Sequence, residues 1–155
     1  MVTVTQATLE NQLPLFIKSL LTANLTDPRT SRTNPFIFKY PPESENDEYP
    51  YIIIETGSSS GIFPSDGTLY IPREIELNIR IVTKGKDAIK TRDQLTDSIS
   101  QVMQDPILTD VDGKSMRSNC INLRSVISDH TDIFKQDGNV IRVNEITYTL
   151  VYYGA

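Results

Sequence analysis

The sequence predicts an α+β domain: a mainly antiparallel sheet with two helices packed on it and long protruding hairpins. Three observations carry this prediction. Two segments space their apolar residues at helical intervals, one segment alternates apolar and polar residues strictly, and Asp137-Gly138 stands between two long strand-like runs. At 155 residues the chain has the size of one domain, so residues 1–155 are read as a single unit.

The first helix follows from Leu9, Leu13, Phe16, Ile17, Leu20 and Leu21, which form one apolar stripe. Pro14 interrupts it by removing a donor and crowding the carbonyl of Glu10. The reading is a helix over most of Thr5–Leu21 that kinks at the proline or starts near Asn11. A short apolar run, Phe36-Ile37-Phe38, comes next. The proline-bounded, densely acidic stretch Pro41–Pro50 is expected as an exposed, mobile loop with solvated carboxylates over Glu43–Glu48. Tyr51-Ile52-Ile53-Ile54-Glu55 is a continuous β-branched run, which suits a strand covered on both faces.

Gly57-Ser58-Ser59-Ser60-Gly61 is expected to open a flexible excursion that runs to Gly67. The clearest strand follows: Ile75, Leu77, Ile79 and Ile81 face one way, and Glu74, Glu76, Asn78 and Arg80 the other. Pro72 is expected at an edge or bend near its start. A second helix fits Asp87–Gln104, with Asp87 as its cap and Asp105-Pro106 as its end.

The last third reads as a hairpin turning at Asp137-Gly138, with Ile121, Leu123 and Ile127 on one side and Phe134 opposite Ile141. In the return strand Ile141 and Val143 occupy odd positions, whereas Ile146, Tyr148, Leu150 and Tyr152 occupy even ones. A strand keeps one parity, so either a bulge or a change of covering layer is expected near Asn144-Glu145.

Lengths add a further expectation. A domain of this size is about 40 Å across. Strands rising about 3.3 Å per residue would carry Cys120–Lys135 and Asn139–Tyr153 to about 50 Å. The second helix spans only about 24 Å. The arms are therefore expected to overhang, leaving Ile133, Phe134, Val140 and Ile141 at the hairpin tip, and Ile62, Phe63, Leu69 and Ile71 on the Gly/Ser excursion, to be covered by a partner.

Composition narrows the function classes. A net charge of −5 and a pI near 4.8 argue against a protein that grips nucleic acid phosphates. One cysteine, Cys120, and one histidine, His130, leave no intrachain disulfide and no Cys- or His-based metal motif. The N-terminus does not read as a signal peptide and no apolar run matches a membrane span, so a soluble domain made in a reducing compartment is expected. The sequon Asn24-Leu25-Thr26 carries no weight without a secretion signal.

Candidate chemical motifs mostly read as structure. Gly113-Lys114-Ser115 resembles the end of a phosphate loop, but Leu108 stands where its first glycine belongs. Asp110-Val111-Asp112-Gly113 lacks the third acid and terminal glutamate of a calcium loop and reads as a turn. Asp129-His130-Thr131-Asp132 reads as a solvated strand face, and Cys120 as a buried structural thiol. Lys84, Lys86, Lys90 and Arg92 cluster without interleaved aromatics and read as helix surface or a weak contact to an acidic partner. No catalytic residue, cofactor or metal ion is expected.

The order helix, strand at Tyr51–Glu55, loop, strand Arg73–Val82, helix Asp87–Gln104 and long hairpin ending in Tyr148-Thr149-Leu150-Val151-Tyr152-Tyr153 resembles the tail terminator proteins of long-tailed bacteriophages and related viruses, also called tail completion or head–tail joining proteins. The resemblance rests on element order and size, without a diagnostic motif. It implies a non-enzymatic virion protein, assembled in the host cytoplasm, that forms a homo-oligomeric ring, usually a hexamer, at the head-proximal end of the tail tube. Its implied partners are further copies, the tail-tube protein and a head-completion or neck protein. DNA would pass through the lumen without specific binding, and no membrane is involved. The alternatives are a tail-tube subunit or neck adaptor, a small enzyme with an unrecognised carboxylate site, and a monomeric regulatory or immunity-type binding module.

Overall fold

The structure is a computed structural model that describes residues 2–42, 46–61, 72–136 and 138–154; of residues 60–61 and 131–136 only the backbone is described. In chain order the elements are α1 (Leu9–Asn24), β1 (Ile37–Phe38), β2 (Tyr51–Gly61), β3 (Arg73–Lys84), α2 (Ala88–Met103), β4 (Ile121–Gln136) and β5 (Asn139–Tyr152). They form the expected α+β domain. The five strands make one sheet in the order β1-β2-β3-β5-β4, antiparallel throughout except for the short β1–β2 pair.

α1 follows a 3-10 turn at Gln6–Thr8 and continues through Pro14 from Leu9 to Asn24, so it does not start at Asn11. Pro14 removes a single ladder donor, and it sits buried on the same face as Leu9, Leu13, Phe16, Ile17, Leu20 and Leu21. α2 begins one residue after Asp87, which occupies the cap position without a side-chain hydrogen bond. Its buried residues Leu95, Ile99, Val102 and Met103 join those of α1 in one core over the sheet, and Ala88 is buried apart from them at the start of the helix.

The core lies between these helices and one sheet face. Ile52 and Ile54 from β2, Ile75, Leu77, Ile79 and Ile81 from β3, and Ile146, Tyr148, Leu150 and Tyr152 from β5 are all buried there. A second, smaller cluster lies on the other face at one end: Ile53, Val82, Ile141 and Val143, with Phe38, Tyr49 and Tyr51 against them. The expectation that the β2 run is covered on both faces therefore holds.

The parity change in β5 has the second of its two expected causes. Pairing of β3 with β5 is unbroken from Arg73↔Tyr152 to Lys84↔Ile141, so β5 carries no bulge. Ile141 and Val143 instead belong to the second cluster. Asn144, fully buried, donates to the Thr96 hydroxyl on α2 (2.7 Å), and its side-chain carbonyl lies 3.0 Å from the Ser128 hydroxyl on β4. The bulges fall in β4, at Leu123/Ser125 and Asp132/Phe134. The first shifts parity, so Ile127 leaves the side of Ile121 and Leu123.

Two length expectations need correction. Gly57–Gly61 belongs to β2, bulged between Thr56 and Ser59 rather than opening a flexible excursion. Gly57 fits closely there: an added Cβ would lie 3.1 Å from the Glu76 Cβ, so that neighbour would have to give way by a few tenths of an ångström. The β4–β5 hairpin also does not overhang the sheet as expected. β3 accompanies β5 to Ile141, leaving only Asn139 and Val140 of β5 beyond it. The hairpin register itself is as read, with Phe134 opposite Ile141 and Gln136 opposite Asn139, and Gly138 has φ 77°.

Tyr148 is 1% exposed; its hydroxyl has no partner in hydrogen-bond geometry, and burial pushes its pKa up to about 12 despite the polar influence of Ser100. The neutral phenol is thus the form the fold favours. This contribution is complete below the ordinary value of 10.0 and is lost as pH rises toward 12. Urea unfolding should show Leu77→Ala costing about 3 kcal/mol, as a buried methyl-group deletion does. Tyr148→Phe should cost less than about 1 kcal/mol or stabilise, because it removes an unsatisfied polar atom, and it should flatten the loss of stability above pH 10.

Candidate functional site

The strand register decides what the uncovered face presents. Away from the second cluster, alternation places Glu55 of β2, Glu74, Glu76, Asn78 and Arg80 of β3, Thr147, Thr149 and Glu145 of β5, and Arg124 and Asp129 of β4 on the side opposite the helices. Arg80 bridges Glu55 (3.7 Å) and Glu145 (3.1 Å) across three strands. Arg124 reaches across β5 to Glu74. These pairs are partly exposed, so each adds little stability. Their effect is to order a broad polar surface on which five carboxylates outnumber Arg80, Arg124 and Lys84. Lys84 is itself drawn 5.6 Å over the Tyr49 ring.

β4 closes the sheet as an edge strand. Arg124–His130 are exposed along both sides of it, with Val126 at 44% and Ile127 at 68%. A long edge of this kind offers a row of unpaired backbone groups.

A second ordered constellation lies in the connection before β2. The Arg32 guanidinium is held by the Asp27 carboxylate (2.5 and 3.0 Å), by the Glu48 carbonyl (2.8 Å) and by the Pro50 carbonyl, and it stacks 5.0 Å from the Phe36 ring. Glu48 accepts the Thr33 amide (2.7 Å) and the Asn34 amide (2.5 Å). Those amides, with Arg29 and Arg32 beside them, hold the Glu48 carboxyl below its ordinary value despite some desolvation. Burial works to raise Asp27, yet its hydrogen bonds from Arg32 and the Arg29 amide, with both positive charges, leave it lowered.

The expectation of a wholly solvated acidic loop is therefore overturned at its end: Glu48 is 9% and Asn46 6% exposed, while 43–45 lie outside the described residues. Glu48 ties two stretches of chain together, which is a structural role. A groove of about 480 Å³ adjoins it between α1 and β1, with Lys18, Lys39 and Asn46 on its walls.

The other motifs resolve as turns and surface. One Asp110 oxygen accepts the Asp112 and Lys114 amides (2.9 and 3.0 Å), and the other accepts the Ser19 hydroxyl (3.0 Å). Asp110 is thus the centre of a tight turn that uses Gly113 at φ 76°. Cys120 is half-buried rather than buried, and stands at φ 58° where the chain turns into β4. Asp129 and His130 are exposed on β4, and Asp129 and Asp132 pair with Glu145 and Arg142 on opposite faces. Among the described residues no three His, Cys, Asp or Glu side chains group to hold a metal ion, and no helix is long and apolar enough to cross a membrane.

Of the apolar positions expected to await a partner, Ile62, Phe63, Leu69 and Ile71 lie outside the described residues, and for Ile133 and Phe134 only the backbone is described. Val140 is half-buried. Ile141 is a correction: it is 3% exposed, because Ile53, Val82 and Val143 of its own chain cover it. Sequence reasoning missed the exposure of Val126, which lies opposite Tyr148 on the helical side of the edge strand, and missed the Arg32–Glu48 clamp. The alternation of charge along β3 was the one available sign of the polar face. No protein-family model matches the chain, and no curated protein matches it.

Because Glu48 and Asp27 are lowered, the clamp is complete above pH 4.5 and is lost as pH falls through the folded values. Amide exchange should show Thr33 and Asn34 losing protection on acidification. Glu48→Gln, which sets an NH2 group against an amide, should lower Tm at pH 7 and reduce that dependence to the part Asp27 contributes.

Proposed function

We propose that this chain is a virion structural protein that assembles as a ring, hexameric by analogy with tail terminators, at the head-proximal end of a tail tube. There it ends tube growth and joins tail to head, with the tail-tube protein on one side and a head-completion or neck protein on the other. The observation that carries this reading is the uncovered sheet face on which Glu55, Glu74, Glu76, Asp129 and Glu145 outnumber the cations. A face of that sign, turned toward a lumen, repels phosphates and lets DNA slide past without being held. Support also comes from the element order, in which a helix, paired strands, a second helix and a long hairpin follow one another as the resemblance requires.

Ring assembly demands two different patches that meet head to tail. Negative-stain images of the full chain, alone or mixed with tail tubes, are expected to show single rings capping tube ends. Stacked filaments would assign it to the tube wall or neck, and a particle that stays single in the presence of tubes would leave a monomeric binding module. Glu76→Lys combined with Glu145→Lys should preserve rings and lower infectivity at least ten-fold by slowing DNA ejection; unchanged infectivity would remove the lumen assignment.

A further inference from the structure

Between its two bulges β4 runs regularly over residues 125–132, with one side paired to β5 and no strand on the other among the described residues. We infer that this edge pairs antiparallel with the same edge of a second copy, centred on Ile127. The inference does not rest on the ring reading, since a patch that meets itself closes at two copies.

Symmetry limits the possible registers. Two antiparallel edge strands are related by a two-fold axis normal to the sheet, which keeps each face of one copy continuous with the same face of the other. Residues opposite one another must share a face, so only registers with a residue facing its own counterpart are allowed. Centring on Asp129 sets carboxylate against carboxylate. Centring on Ser128 sets Ile127 against Asp129. Centring on Val126 runs Leu123 and Arg124 into the bulge after three paired residues.

Centring on Ile127 pairs residues 125–129. Ile127, 68% exposed, meets its own copy, and Ser125 faces Asp129. Arg124 shares the uncovered face, as its ion pair to Glu74 requires, and the bulge sets it beside Ser125 and hence beside the second copy's Asp129.

This register relieves a conflict within the single chain. Asp129 lies directly opposite Glu145 in the ladder, and the described residues give it no cation, Arg80 being bound to Glu145 and Glu55. Like charges directly opposite one another are destabilising. The second copy's Arg124, whose side chain is 59% exposed although it is paired to Glu74, brings a cation beside Asp129 once at each end of the contact and would be shared between the two carboxylates. The greasy centre, the flanking serines and the terminal ion pairs are thus self-complementary.

The test is the association of the full chain by sedimentation equilibrium, with far-UV circular dichroism as the check on folding. Arg124→Asp and Asp129→Arg should each weaken the dimer at least ten-fold, and the double variant should restore it to within about three-fold. In a Cys120→Ser background, Ile127→Cys should crosslink to its own counterpart on oxidation, since directly opposed Cα atoms about 5 Å apart suit a disulfide, whereas Asn122→Cys should not. A wild-type chain that stays monomeric, a double variant no better than the singles, or equal crosslinking at both sites overturns the contact. So does a six-copy particle indifferent to Ile127→Asp, an outcome that leaves the ring reading standing.

Discussion

The pairing of β3 with β5 carries the rest of the molecule. All twelve residues of β3 lie in one uninterrupted register with β5, and that register fixes which side chains reach the helices and which reach the open face. A slip of one residue would carry Ile75, Leu77, Ile79 and Ile81 out of the core and bring Glu74, Glu76 and Arg80 into it. No such slip is tolerable, because desolvating three charges costs far more than any gain in backbone pairing. The neighbouring strands adjust instead: β2 takes its bulge after Thr56, and β4 takes two.

That division explains the asymmetry of the sheet. The helical side buries an apolar core from β2 to β5, with Asn144 as a buried polar residue tied to Thr96 and Ser128, and gives way to exposed Ser128 and His130 along β4. On the other side buried apolar residues gather at one end, with Phe38, Tyr49 and Tyr51, while ion pairs occupy the middle and Ile127 lies exposed on β4. At that end Ile81, Val82 and Thr83 are buried in succession, which a strand achieves only where both of its faces are covered. The change of layer thus shows in β3 and β5 alike, and the two strands share one cause.

How far the β4–β5 hairpin is supported depends on the neighbouring strand and not on a helix, which rises only about 1.5 Å per residue against about 3.3 Å for a strand. β3 is long enough to support β5 almost to the turn, so Ile141 finds its cover inside the chain. What stays unsupported is lateral rather than terminal: among the described residues β4 has a strand on one side only, and strand lengths do not determine which strand lies outermost.

The sequence by itself determined the α+β class, both helices, the facing of β3 and the hairpin register through Asp137-Gly138, because each depends on local periodicity or turn chemistry. Tertiary structure alone decided the strand order, the position of the bulges and the role of Glu48. The Arg32–Glu48 clamp joins residues many positions apart through backbone carbonyls and amides, which every sequence has and none advertises. Likewise Ile127 reaches the open face because of one extra residue at Arg124 in an edge strand, a displacement set by packing between strands and not by any pattern within one.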